Sequence, residues 1–216
     1  MQKFILLLIS SLLFNSNLIA QRYHLWASGP VIRAEMALQQ AVLFRLGYQQ
    51  QLSLRGHPLI TSARLGLPMG RTLNDGTLEL NAGMPIRKDH GWNLIPALGF
   101  NTVRWQNDLA LATSLEGQLG LSAGYFGQHW HAAFQVQHRR SMGTRLKHSD
   151  IYVEQYHTGA QSGWYKGLGG AWQFNLEGAY AWSRIETGLW LGLGLGRDGQ
   201  LPLLPYVGGI WFGYRI

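Results

Sequence analysis

The sequence predicts an all-β fold: an antiparallel, membrane-spanning β-barrel of about ten strands, within a range of eight to twelve. Three observations lead there. First, residues 203–216 alternate to the last position, with Leu204, Tyr206, Ile210, Phe212, Tyr214 and Ile216 on one parity. Pro205, Val207, Gly209, Trp211, Gly213 and Arg215 fall on the other. Such a strand has one apolar face and one small or polar face, as a lipid-exposed barrel wall needs. Second, charged residues make up only 13% of the chain, about half of what soluble domains carry. Third, mean hydropathy is near zero, and beyond the first twenty residues no segment approaches the roughly 18 uninterrupted apolar residues of a spanning helix. A barrel hides its apolar face in every second position instead. A soluble β-sandwich shares the alternation and the turn signals, but not the low charge.

The amino-terminal segment fits the same location. Met1-Gln2-Lys3 is a short positive stretch, residues 4–14 are apolar, and residues 15–20 end in Leu18-Ile19-Ala20. That is the pattern of a cleaved secretory signal, and the apolar run is too short to span a bilayer as a helix. Removing residues 1–20 leaves 196, the size of one domain. There is no cysteine, so disulfides, thiolate metal sites and attachment through a lipidated cysteine are excluded. The formal net charge is +7, which would ordinarily raise nucleic acid as a partner. The charges are scattered and the chain is exported, so no nucleic acid is expected. Outer-membrane lipids and lipopolysaccharide are the expected partners of a basic exterior.

The strands follow from period-2 patterns. Val42, Phe44, Leu46 and Tyr48 alternate with Leu43, Arg45, Gly47 and Gln49. Leu59 to Leu67 alternates with Ile60, Ser62, Arg64 and Gly66, and Leu78, Leu80, Ala82 and Met84 with Glu79, Asn81 and Gly83. Trp92, Leu94, Pro96, Leu98 and Phe100 form the next stripe; Pro96 cannot donate to a ladder and demands a bulge or an edge-like position. Residues 109–125 keep one parity and read as a single long strand. Trp130, Ala132, Phe134 and Val136 continue the series, opposed by His131, Gln135, Gln137 and Arg139. Residues 141–150 read as an exposed, basic, mobile loop, on the periplasmic side for ten strands with a periplasmic start. Residues 151–163 form a poor strand. Trp172, Phe174, Leu176, Tyr180 and Trp182 make a clear stripe, and Leu189 to Leu195 alternates with Trp190 and glycines. The tally from Val42 onward is ten, an even number as a single-chain barrel requires. The organisation is a signal peptide over 1–20, a lead-in over 21–41 and the barrel over 42–216. Residues 30–40 read as a short helix or irregular lead-in, because Ala, Glu, Met and Leu favour helix. Residues 22–27 offer a further strand if 109–125 were split.

Signal, alternating strands, absent cysteines and terminal strand together resemble the small outer-membrane β-barrel proteins of Gram-negative bacteria. The resemblance covers the whole mature chain and is one of pattern. The family's last residue is usually aromatic, most often Phe; here it is Ile216, with Tyr214 and Phe212 two and four places before it.

Seven residues fall on the inward parity and are candidates to line a lumen: Arg45, Arg64, Glu79, Glu116, Arg139, Glu177 and Arg215. In a ten-stranded barrel they can pair and fill the interior; in a wider one the arginines would favour anionic solutes. The expected function is a noncatalytic outer-membrane scaffold or a small porin-like channel for polar or anionic solutes. The alternative is a membrane-embedded lipid-modifying hydrolase or acyltransferase, for which His138 with Ser141, and His148 with Ser149 and Asp150, are the groupings to inspect. His129 and His131 share a strand face and could approach a metal, but lack a third ligand. No catalytic, cofactor or metal site is assigned. Cleavage after Ala20 is the expectation open to direct measurement: the exported protein should begin at Gln21 when its amino terminus is sequenced, and an intact Met1 would contradict it.

Overall fold

The computed structural model describes residues 29–38, 42–69, 75–87, 91–167, 169–196 and 205–216. The strands are β1 (Val31–Leu38), β2 (Val42–Leu54), β3 (His57–Pro68), β4 (Gly76–Gly83), β5 (Ile86–Arg87) and β6 (Trp92–Gln106). After them come β7 (Ala110–Phe126), β8 (Trp130–His148), a short helix α1 (Asp150–Gln155) and β9 (Gly163–Lys166). The chain ends with β10 (Gly170–Trp182), β11 (Ile185–Gly196) and β12 (Tyr206–Arg215). All pairings are antiparallel, and β1 pairs with both β2 and β12, Val31 lying opposite Gln49 and Arg215. Ten strands thereby close into a barrel, while β5 and β9 are short additions to β6 and β8. Closure leaves no ladder of unpaired amides facing lipid, which is the condition for spanning a bilayer with strands.

The wall is inside-out relative to a soluble protein. Phe100 is 63% exposed and Leu191 64%, whereas Asn101 is 3% exposed. Apolar side chains therefore point outward and polar ones inward, as in a transmembrane barrel. Aromatic rings bound the apolar band. Trp92, Tyr125 and Trp130 touch in sequence, with ring centroids 6.4 and 4.7 Å apart, and Tyr180 lies 5.9 Å from Trp182; all five sit at the end where both termini emerge. Trp172 and Tyr206 mark the other end on β10 and β12. Trp172 to Trp182 spans ten residues of β10, which at ~3.4 Å per residue and ~40° of tilt is ~26 Å, close to the ~25 Å apolar band of such barrels.

Two tight hairpins, Arg55-Gly56 and Ser183-Arg184, connect strands at the terminal end. Arg55 and Gly56 both have positive φ, 51° and 82°, the geometry that matches the twist of a two-residue hairpin. Pro96 is accommodated where a neighbour gives out. β4 ends at Gly83, and the Pro96 carbonyl accepts from the Met84 amide at 3.0 Å. The proline nitrogen faces that same side, and beyond the break the ladder resumes in register with β5, where Ile86 lies opposite Leu94.

Three expectations are corrected. Residues 31–38, read as part of a short helix or irregular lead-in, form β1, with Val31, Arg33, Glu35 and Ala37 inward and Ile32, Met36 and Leu38 outward. Pairing on both edges overrides the helix preference of Ala, Glu, Met and Leu. Residues 141–150 are not a loop: β8 runs through His148 and pairs with β7 along its length. The register shifts between Leu115 and Glu116, which face Gly143 and Ser141, so Met142 is an extra residue. That bulge inverts the parity of the residues beyond it, which is why the alternation fades in the sequence. Residues 151–163 are not a barrel strand but α1, capped by the Ser149 side chain, and the approach to β9. The total of ten strands holds because β1 replaces this segment. Counted from β1, the distal end of β8 stands opposite the termini, the reverse of the side expected for 141–150. The long strand expected over 109–125 is β7, seventeen residues without a break. The signal segment 1–20, the strand considered at 22–27 and the turn at 197–200 lie outside the described residues.

Leu119, on the outer face of β7 and 58% exposed, stands near the middle of the apolar band. Leu119→Arg should cost about 2–4 kcal/mol of folding free energy in lipid vesicles. The same substitution of Gln106, at the strand's distal neighbour on β6, should cost less than about 1 kcal/mol; equal costs would contradict the placement of the band.

Candidate functional site: a charged layer across the barrel interior

Antiparallel pairing brings inward side chains of neighbouring strands into rows, and one row is strongly charged. Glu35 on β1 lies opposite Arg45 on β2, and Arg64 on β3 opposite Glu79 on β4. The Glu35 carboxylate is the centre of the group. It takes an Arg45 guanidinium N–H at 3.3 Å and the Trp190 indole N–H of β11 at 2.8 Å, and Arg64 stands 4.0 Å away. Arg45 reaches Glu79 on its other side at 3.6 Å. Glu35, Arg45 and Glu79 are each buried, where an unpaired charge would be costly and a crossed pair is held rigidly.

Across the lumen, Glu177 on β10 accepts from the Gln135 side-chain amide and lies 3.7 Å from the His131 ring nitrogen. Between the two groups remains a cavity of about 60 Å³, lined by Arg33, Arg45, Arg64, Arg139, Glu35, Glu79 and Glu177 together with glutamine and asparagine side chains. It has room for a few water molecules and no more. Four arginines face three glutamates there. Arg33 stacks on the Trp211 ring at 3.7 Å, a contact that suits a weakly hydrated guanidinium. Arg139 forms no ion pair among the described residues.

Two tryptophans, Trp190 and Trp211, complete the lining of this cavity. Trp211 is 1% exposed, and His131 stacks parallel to it at 6.4 Å, with Phe126 on the far side of His131 at 5.4 Å. Room for the rings comes from glycines opposite them. A Cβ at Gly188 would lie 2.5 Å from Trp211, and one at Gly209 2.7 Å from Trp190. The interior glycines of β11 and β12 are therefore packing positions.

Of the seven residues the sequence pointed to, Arg45, Arg64, Glu79, Arg139 and Glu177 meet at this one cavity. The other two form separate contacts: Glu116 accepts from the Asn101 amide at 3.1 Å, and Arg215 pairs with Glu186 at 2.7 Å. Sequence reasoning missed Arg33 and Glu35, although Val31-x-Arg33-x-Glu35-x-Ala37 carries the period-2 signal. It also missed Trp190 and Trp211, whose inward parity was visible but whose apolar character drew no functional reading.

The Ser–His groupings separate. His138 lies against the outward Trp172 with ring centroids 4.5 Å apart, whereas Ser141 points inward and lies 3.3 Å from the Ser114 hydroxyl. The barrel wall divides them. Ser149 accepts from the Tyr152 amide at 3.2 Å as a helix cap, and His148 stacks on Tyr152 at 4.8 Å. Neither serine has a histidine within hydrogen-bond reach, as an activated nucleophile requires. His129 and His131 also diverge: His129 stacks on Tyr180 at 6.3 Å outside, while His131 is buried inside. Among the described residues, no group of three His, Asp or Glu could hold a metal ion.

No protein-family model matches the sequence, and no curated protein matches it. Solved structures similar to the chain are outer-membrane β-barrels. A KdgM porin in complex with disordered oligogalacturonate is 10% identical, with a TM-score of 0.44 over 86% of this chain and 99% of that one. The NanC porin is 8% identical, with a TM-score of 0.43 over 87% and 100%. Outer membrane phospholipase A from Escherichia coli is 11% identical, with a TM-score of 0.36 over 88% and 93%. At these identities no substrate or activity passes from them to this chain.

The network has a direct energetic consequence. Glu35→Ala strips Arg45 of one partner and leaves the Trp190 N–H unsatisfied, at an expected cost of about 3–5 kcal/mol in reversible unfolding. Adding Arg45→Met to that background should recover part of the loss. A single variant within about 1 kcal/mol of the parent would refute the central place of Glu35.

Proposed function

We propose that the chain is an exported, noncatalytic outer-membrane barrel whose interior is closed at mid-height by crossed charges. The observation carrying this reading is the cavity of about 60 Å³, confined by the Glu35–Arg45–Glu79 chain on one side and Glu177 on the other. Sugars and nucleosides are several times larger than this cavity, which holds a few water molecules. The inner wall supplies the alternative to an open pore: ion pairs and an indole hydrogen bond join nearby strands and stiffen the cylinder, which suits a structural element of the cell envelope. Where an ion does enter, Arg33, Arg64 and Arg139 outweigh the local carboxylates that are not already engaged, and the path favours small anions. A lipid-modifying enzyme is the weaker reading, since His138 and Ser141 occupy opposite faces of the wall.

Planar-bilayer recording tests the closed interior. The parent protein should give no steady current above that of the bare bilayer. Replacing both rings, Trp190→Ala with Trp211→Ala, should open an anion-preferring path, and adding Arg139→Gln should lower that preference. Steady unit current through the parent would overturn the closed reading in favour of a channel.

A further inference from the structure

Among the described residues, cations gather on the outer face of the barrel in one place, and nothing in the interior accounts for it. Arg104, Arg140, Arg145, Lys147 and Lys166 are all exposed and lie on β6, β8 and β9 at the end opposite the termini. Strand register makes four of them neighbours, while Arg140, opposite Gly117, stands nearer the centre of the membrane. Arg104 faces Thr113 across the β6–β7 pair, Thr113 faces Arg145 across β7–β8, and Arg145 faces Trp164 across β8–β9. One row further out, Lys147 stands opposite Leu111; one row nearer the membrane, Lys166 stands opposite Gly143. The Met142 bulge is what turns Arg145 and Lys147 outward.

Height in the wall gives the patch its meaning. Counted along β7 from the girdle residue Tyr125, Leu115 lies ten residues away and Thr113 twelve. With ~3.4 Å per residue and ~40° of tilt these are ~26 and ~31 Å. Leu115 therefore stands at the edge of the ~25 Å apolar band and the Arg104–Arg145 row just beyond it, at headgroup level. Trp164, 61% exposed, and Met142, 65% exposed, extend the apolar surface up to the row. No acid answers these cations from the wall. The strand glutamates 35, 79, 116, 177 and 186 all face the interior. Among the described residues the other acids at this end are Asp75, buried before β4 and accepting from the Gln106 amide, and Asp108, Asp150 and Glu154, in the connection after β6 and in α1. None of the five cations forms an ion pair among the described residues. At the terminal end, Arg55 and Arg184 sit in separate hairpins and build no such surface.

From this arrangement we propose that the outer face of β6–β9 is a docking surface for the phosphates of a phosphorylated glycolipid of the surrounding leaflet. Acyl chains lie along Leu115, Leu119 and Leu121, and the phosphates engage Arg104, Arg145 and Lys147. Guanidinium groups bind phosphate in bidentate fashion and anionic headgroups draw juxtamembrane cations, each charge being worth about fivefold in binding. The inference rests on the proposed outer-membrane location.

The test uses the full folded protein in phosphatidylcholine nanodiscs doped with bisphosphorylated lipid A or with its dephosphorylated form, read by native mass spectrometry of retained lipid. Preferential retention of the phosphorylated form is expected, weakening with salt. The triple variant Arg104→Gln, Arg145→Gln, Lys147→Gln should lower retention by at least about tenfold. Arg55→Gln with Arg184→Gln should leave it unchanged, and heat-modifiable migration should report folding of every variant. Equal retention of the two lipids, or a triple variant that folds and retains as the parent does, overturns the docking surface. Displacement by inorganic phosphate alone overturns it too, by showing a free-anion site. Failure of the parent to insert into nanodiscs would instead strike the membrane location itself.

Discussion

Glu35 answers to three strands at once, and the interior is organised around that requirement. A closed barrel directs every second side chain into a space without bulk water, and this chain places carboxylates and guanidinium groups there. The buried Glu35, Arg45 and Glu79 find partners on other strands, because the cost of a lone buried charge is several kcal/mol. Glu35 sits on β1, the strand that closes the cylinder, and binds Arg45 on β2 and Trp190 on β11. Its contacts therefore run across the seam where the first strand meets the last. Seam closure and interior neutralisation are one event: β1 cannot leave its place without exposing Arg45 and the indole N–H to an empty lumen.

Packing of the seam follows from the same demand. Two tryptophans need depth, and the neighbouring strands provide it by carrying glycine where another residue would collide. Gly188 lies against Trp211 and Gly209 against Trp190. In exchange the rings present a polar edge and a polarizable face. Trp190 donates to Glu35, and Trp211 accepts the Arg33 guanidinium on its face. The glycine-rich alternation of β11 and β12 is thus the negative of the aromatic layer, and the lumen is narrow because both are present.

Much of this was legible in the sequence, and the failures share a cause. Alternation reads correctly wherever it continues unbroken with bulky residues outward, as in β7 and β10, because lipid selects one face with little tolerance. It reads poorly where the outward residues are small or helix-favouring, as with Ala34 and Met36 in β1, since composition then outweighs period. It fails at Met142, where one inserted residue inverts the faces and makes a strand resemble a basic loop. The candidate site was half visible for the same reason. Inward charges on recognised strands were found; Arg33 and Glu35 were hidden with the strand that carries them. Which charges touch was beyond reach, because contact depends on shear and tilt, and no single strand encodes either.

The sign of charge is sorted by the wall. In the described strands five arginines, 33, 45, 64, 139 and 215, face inward against five glutamates, 35, 79, 116, 177 and 186. Among the strand residues described, these inward charges are formally balanced, and the exposed cations Arg104, Arg140, Arg145, Lys147 and Lys166 stand on the outer face. Balance inside has a physical consequence for transport: no net field drives an ion inward, and any preference comes from local arginines left without a direct partner, such as Arg139. Imbalance outside has the opposite effect. A carboxylate at headgroup height would meet anionic phosphates and raise the energy of insertion, whereas arginine and lysine lower it. One alternating pattern therefore serves two solvents: the strand glutamates are confined where arginines answer them, and the unanswered cations stand where the surrounding leaflet can supply the counter-charge.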